Sequence, residues 1–460
     1  LDIVPKGSLV ARTVTDYDLL MNSSLFYEYN YGLPAQVMGT EMAAEQGILQ
    51  NAPGSMQRAF AWNDQVVRQG ESYSELKAFL NNVYTCNSIL NGIESASGGN
   101  GVRKNTLKAE ARATRALLYF YFISTYAKPY NAGTAAADPG FPIITQPEIS
   151  VSSFTRNSVA EVYAFIIDDL LIATRDLPVD NGIRTRMSRP AAKALLGKVY
   201  MFMGRPANAL PYLEGAFTDM AASSNRPTLY DYNETFAPGG SFLPIGFFGP
   251  TYPGNNRNDL RESLILKTAS AGETYGSGFG NNGLILTDQQ QSLFNASDLR
   301  LNLYSNLHDD GSVIPSGRLR KYALQYVHIG VELADLILLR AEARARGNDL
   351  AGAGLDVEEL RRNRMPKADA VISASVTANK DELIRFIIQE RSREFAAEGS
   401  IWYDIRRLSA DPLFSGVVYA HQLYGNDGHV ISTYLLKPDR LTLRLPADLL
   451  SANPGMIDNP

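Results

Sequence analysis

One cysteine, two tryptophans and four histidines in 460 residues leave little material for several kinds of chemistry. Cys86 alone excludes an internal disulfide, and its setting in NNVYTCNSILNGI reads as a small buried apolar residue, so cysteine usage leaves the redox compartment open. His308, His328, His421 and His429 form neither H-E-x-x-H nor a Cys/His metal spacing, so no metal or cofactor is expected. A P-loop and a G-x-S-x-G elbow are both missing. GFGNNG at 278–283 matches G-x-G-x-x-G, yet no strand precedes it and no helix obviously follows, so it reads as a glycine-rich loop. An excess of basic charge is missing too: 43 Lys and Arg stand against 48 Asp and Glu, and the arginines are mixed with carboxylates, which argues against nucleic acid. The longest apolar run, ALLYFYFISTYA at 116–127, is too short to span a bilayer.

The chain does have length and apolar content, 45% hydrophobic, enough to bury a large core without staples. It begins LDIVPKG without an initiator Met, which reads as a mature or trimmed product with any lipid anchor upstream. Helical periodicity recurs in pairs: 72–95 with 104–127 across the break SGGNG, 158–177 with 188–204, each opened by a Ser suited to an N-cap, and 329–347 with 349–364, followed by one long helix over 380–408. Leu196, Gly197, Tyr200, Gly204 and Ala209 fit the spacing of a tetratricopeptide unit, and Leu339, Ala343 and Gly347 fall at matching offsets. Such pairs cannot bury their apolar faces alone and are expected to stack. The fold class expected is mainly α: a tetratricopeptide-like scaffold over 72–127, 158–222 and 329–408, with a loop-rich lobe carrying the ligand site. Two irregular insertions, about 45–71 and 223–327, are rich in Gly, Asn, Pro and aromatic residues, the composition of functional loops.

The stretch QERSREFAAEGSIWYDIRRL at 389–408 poses the functional question, because Glu390, Glu394 and Glu398 recur every fourth residue among arginines. On a helix they stand along the edge of the stripe Leu383, Ile384, Ile387, Ile388 and Phe395, facing neighbouring helices. Partly buried charges need partners, and Arg112, Arg115, Arg340 and Arg344 are the arginines proposed for them. A glycosidase needs carboxylates on opposite sides of a sugar ring, which side chains on one helix face cannot supply. The stretch therefore reads as an ionic clasp, and no catalytic residue is expected.

Binding has candidates. Trp62, with Arg58 and Asn63 beside it, lies in the loop run RAFAWND as a stacking platform or as a plug for its own small core. Phe247, Phe248, Tyr252 and Tyr275, with Asn255 and Arg257 nearby, carry the same pair of readings in the second insertion. Rings that stack on sugar faces and polar groups that meet hydroxyl edges are both supplied by these insertions.

Six ordered stretches then add a resemblance. LDIVPKG with TVTDYDLLMN, KAEARATRALLYFYFISTYAKPYN, RMSRPAAKALLGKVYMFMG, ADLILLRAEARARGN, ERSREFAAEGSIWYDIRRL and LRLPADLLSANPGMIDNP resemble signatures of the SusD/RagB family of nutrient-binding outer-membrane lipoproteins. Ser400 departs from the Arg usual there. The resemblance implies a cell-surface protein anchored through an upstream lipidated cysteine. It implies capture of oligosaccharide, or of peptide in some members, for a TonB-dependent outer-membrane transporter, without catalysis. An intracellular tetratricopeptide scaffold for partner peptides and a glycoside hydrolase are the readings from other classes.

Overall fold

The computed structural model describes residues 11–29, 33–71, 74–148, 153–246, 248–271, 283–322 and 324–460. Its scaffold helices are α1 (Ser74–Gly92), α2 (Gly101–Tyr126), α3 (Val159–Asp176), α4 (Arg189–Phe202), α5 (Pro206–Ala221), α6 (Leu333–Arg346), α7 (Leu350–Arg362), α8 (Lys380–Phe395) and α9 (Ser400–Leu408). Their starts follow the local sequence. Asn100 and Asn379 accept backbone N–H groups at the mouths of α2 and α8, and Ser158 with Glu161 closes a capping box on α3. Ser188 occupies the cap position of α4, but its hydroxyl caps nothing, and Pro190 in the first turn sets the backbone instead.

The periodicity locates the helices but mispairs some of them. The closest antiparallel partners are α2 with α3, α4 with α5, and α6 with α7, so 188–204 pairs with the helix after it more closely than with 158–177. The repeat motif explains why. A Cβ on Gly197 would sit 2.5 Å from Leu213 Cδ2, so glycine lets α5 approach α4, and Tyr200 stacks on Tyr212 with ring centroids 5.7 Å apart. The single helix expected over 380–408 is two. The chain turns at Ala397 (φ 68°) and Gly399 (φ 84°), where the backbone of Ala35 and Gln36 comes so close that a Cβ on Gly399 would be 3.0 Å from Gln36 N.

Two small sheets tie distant parts of the chain together. One has the order Val430–Leu435, Ala420–Tyr424, Met42–Glu45, Leu284–Leu286, with Leu423 opposite Ala44 in a parallel pairing. The other joins Glu28–Tyr29, Thr268–Ser270 and Tyr326–His328. One apolar core runs from the scaffold helices into both insertions, taking in Phe60, Trp62, Tyr232 and Tyr252. Within 45–71 the chain forms short helices Gln46–Leu49 and Gly54–Phe60, and Cys86 is buried, its thiol pushed up to about 12 by that burial.

Candidate functional site

The carboxylates of the 389–408 stretch are structural partners of cations. Glu390, 0% exposed, accepts from Arg300 at 2.7 Å, Arg361 at 2.9 Å and Arg393 at 2.6 Å. Glu394 accepts from Arg364 at 2.7 Å and Arg300 at 2.9 Å, and Arg364 also reaches Glu262 at 3.0 Å. Glu398 accepts from Lys321 at 2.5 Å. Burial would raise Glu390 and Glu394, but the surrounding guanidinium groups outweigh it and hold both below the usual carboxylate range. These carboxylates stay ionised and occupied, a clasp between α7, α8 and the 298–300 segment.

The partners differ from those expected. Arg112 and Arg115 both bind Asp169 on α3 at 2.8 Å. Arg340 and Arg344 bind Asp356 on α7 at 2.6 and 2.9 Å. The α2–α3 and α6–α7 pairs each carry their own ion pairs, so those four arginines were already taken. Arg300, on the short 3-10 helix Leu299–Leu303, and Arg364, just past the end of α7, complete the Glu390 and Glu394 clasp.

Trp62 is a plug and not a platform. It is 3% exposed, donates from Nε1 to the Met38 carbonyl at 3.2 Å, and stacks on His421 with ring centroids 3.7 Å apart, while Phe60 covers that imidazole's other side at 4.5 Å. Both His421 ring nitrogens lie within 2.8 Å of carbonyl oxygens of Phe60 and Gly39, and burial lowers its pKa to about 4. Arg58 holds the loop, donating to the Val66 carbonyl at 2.9 Å and pairing with Glu71; Asn63 is exposed beside it.

In the second insertion Phe248 is 65% exposed, on the turn closed by the Gly246–Gly249 bridge. Tyr252 is buried and donates to the Tyr322 carbonyl at 2.6 Å, while the Asn255 side chain bonds the backbone of Tyr252 and Pro250, so both shape the loop. Arg257 lies over the Tyr326 ring, 5.1 Å from its centroid, donates to its hydroxyl at 3.0 Å, and stays partly open. Phe247 and Tyr275 fall outside the described residues. The structure thus divides the candidates into two groups: Arg58, Trp62 and Asn63 beside the four-stranded sheet, and Phe248, Tyr252, Asn255 and Arg257 around the 322–326 segment.

Under the second group lies a pit of about 660 Å³ that sequence reading missed. Tyr232, Tyr252, Tyr304 and Tyr326 form walls, and Lys321, His328 and Glu398 bring charge. Burial would lower Lys321, but Glu398 and the tyrosines outweigh it and hold it protonated; burial would lower His328, but Glu332 at 3.5 Å raises it. The tyrosine count was the available signal; which rings converge depends on tertiary pairings such as Tyr252 with Tyr322 and Thr268–Ser270 with Tyr326–His328. Neutral rings beside fixed charges can orient a polar ligand, whereas a pair of free carboxylates facing each other across the pit, as hydrolysis of a glycosidic bond requires, is not formed by Glu394 and Glu398 with their cations.

Stacked helix hairpins carrying a loop-built lobe define a helical-repeat protein. The chain belongs to the SusD family: residues 20–201 match the model of a SusD-like family described as starch-binding and associating with the outer membrane, and residues 269–460 match the SusD family itself. It is 24% identical over 345 residues to SusD-like protein P2 of Formosa agariphila, a match that covers 66% of this chain and 65% of that relative, so just under two thirds of the relative's length is spanned. A SusD superfamily protein of Bacteroides thetaiotaomicron has the same fold at TM-score 0.75 and 20% identity, covering 97% of this chain and 100% of that one. A laminarin-binding SusD-like protein aligns at TM-score 0.60 and 18% identity, covering 98% and 99%. No helix among the described residues is long and apolar enough to cross a membrane.

Proposed function

We propose that this protein binds oligosaccharide at the cell surface and passes it to a TonB-dependent outer-membrane transporter without cleaving it. The observation that carries this reading is the pair of SusD family matches over most of the chain. The site supports it in two ways. Phe248 offers a largely exposed ring, and Arg257 and Tyr326 offer polar groups on the same insertion, the mixture that sugar faces and hydroxyl edges need. The carboxylates of the 389–408 stretch are each tied to cations in the frame. A lipid anchor upstream of Leu1 would hold the protein at the outer membrane. Isothermal titration against neutral and charged oligosaccharides, with a reducing-end assay on the recovered ligand, tests the reading. Saturable binding with no new reducing ends is expected; peptide binding with no glycan binding, or cleavage of the glycan, overturns it.

A further inference from the structure

A second and larger cleft lies away from the tyrosine pit. It holds about 1410 Å³ between α8, α9, the 287–293 segment and the 414–422 strand edge. Its polar lining includes the side chains of Thr40, Gln289, Gln389 and Gln422, and Phe414 and Tyr419 supply half-buried rings on one wall. The amide nitrogens of these three glutamines donate to no partner among the described residues; Gln422 Oε1 accepts from Tyr424 at 3.0 Å. Gln290 and Ser392 fix the wall by a mutual pair of bonds, 2.5 and 3.1 Å. At the floor, Glu41 is 3% exposed and its Oε2 has no hydrogen-bond partner among the described residues.

This lining selects by charge. Of the cations near the cleft, Arg318 pairs with Asp288 and Arg391 with Asp335 and Asp404, while Arg385 lies over the Phe414 ring at 5.8 Å with its exposed side chain outside the lining. The described residues that line the cleft include no Lys, Arg or His, so an anionic ligand would find no cation among them. Side-chain amides both donate and accept, as sugar hydroxyls do, and an aromatic wall fits a pyranose C–H face. We infer that the cleft between α8, α9 and the 414–422 strand edge is a saccharide subsite for neutral glycan, separate from the Phe248 rim. It rests on the glycan-binding reading and adds a place and a charge class to it. Glu41 agrees: burial pushes its carboxyl up to about 7, so at or below that pH it can donate to a ligand hydroxyl.

Hydrogen-exchange mass spectrometry of the full chain with maltoheptaose, laminariheptaose and heptagalacturonate tests this. Neutral heptasaccharide is expected to protect the 386–395 and 414–422 segments. Gln389→Ala with Gln422→Ala should weaken that protection at least tenfold in ligand concentration, leaving the melting temperature and protection elsewhere unchanged. Phe414→Ala serves as a second variant should the pair alter folding. Glycan binding without protection of these segments overturns the cleft and leaves the binding function standing. Protection by heptagalacturonate in preference to the neutral ligands overturns the charge class. No binding of any of the three overturns both.

Discussion

Glu390→Gln removes one charge from the centre of three guanidinium groups while keeping the volume of the side chain. The wild-type carboxylate is fully buried and Arg300 and Arg393 are nearly so, so the positive charges left behind have little water to turn to. Removing one member of a buried ion pair costs about 3–5 kcal/mol. At about 2.1 cal/mol/K of unfolding entropy per residue, a chain of this length loses roughly 1 °C of melting temperature per 1 kcal/mol. The substitution should therefore lower the melting temperature by about 3–5 °C in differential scanning calorimetry near pH 7. Glu382→Gln, on an exposed turn of the same helix, should move it by less than about 1 °C. A Glu390→Gln melting curve within 1 °C of wild type would refute the clasp, because an ionised carboxylate among three arginines cannot be dispensable.

Further outcomes follow from the same packing. Cations hold Glu342 and Asp335 near 2 against burial, so the stability they contribute is present above their unfolded values and is lost as pH falls from about 4.5 through 2. Glu41 and Glu45 run the other way: burial raises both to about 7, so they cost stability as pH rises from about 4.5 to 7, and Glu41→Gln should raise the melting temperature at pH 8 but not at pH 4. Gly197→Val should destabilise by at least about 1–3 kcal/mol, since the new side chain meets Leu213 across the α4–α5 contact, read by denaturant titration. Trp62→Ala should cost about 3–5 kcal/mol in the same titration and leave glycan affinity within twofold of wild type.

What the sequence made legible was local. Leu196, Gly197 and Tyr200 announce their hairpin because the contact they make is with the next helix, a few residues on, and Ser158 with Glu161 announces a helix start because the bonds close within three residues. The family's ordered stretches were legible for the same reason. The position of Trp62 was not, since its burial depends on His421, brought beside it by a strand near the far end of the chain. The break at Ala397–Gly399 was hidden in an amphipathic run whose periodicity survives the turn; only the approach of Ala35 and Gln36 forces it. The clasp was legible as a need for cations and not as a choice among them, because the sequence offers arginines on many segments and only the fold selects Arg300, Arg361, Arg364 and Arg393.

The measurement that reaches furthest is fluorescence anisotropy of end-labelled maltoheptaose and laminariheptaose titrated with the full chain, followed by chain-length analysis of the recovered sugar. Capture without cleavage predicts saturable binding of a neutral glycan that is recovered at its original length. Shortened sugar, or no change in anisotropy with either glycan, would contradict it.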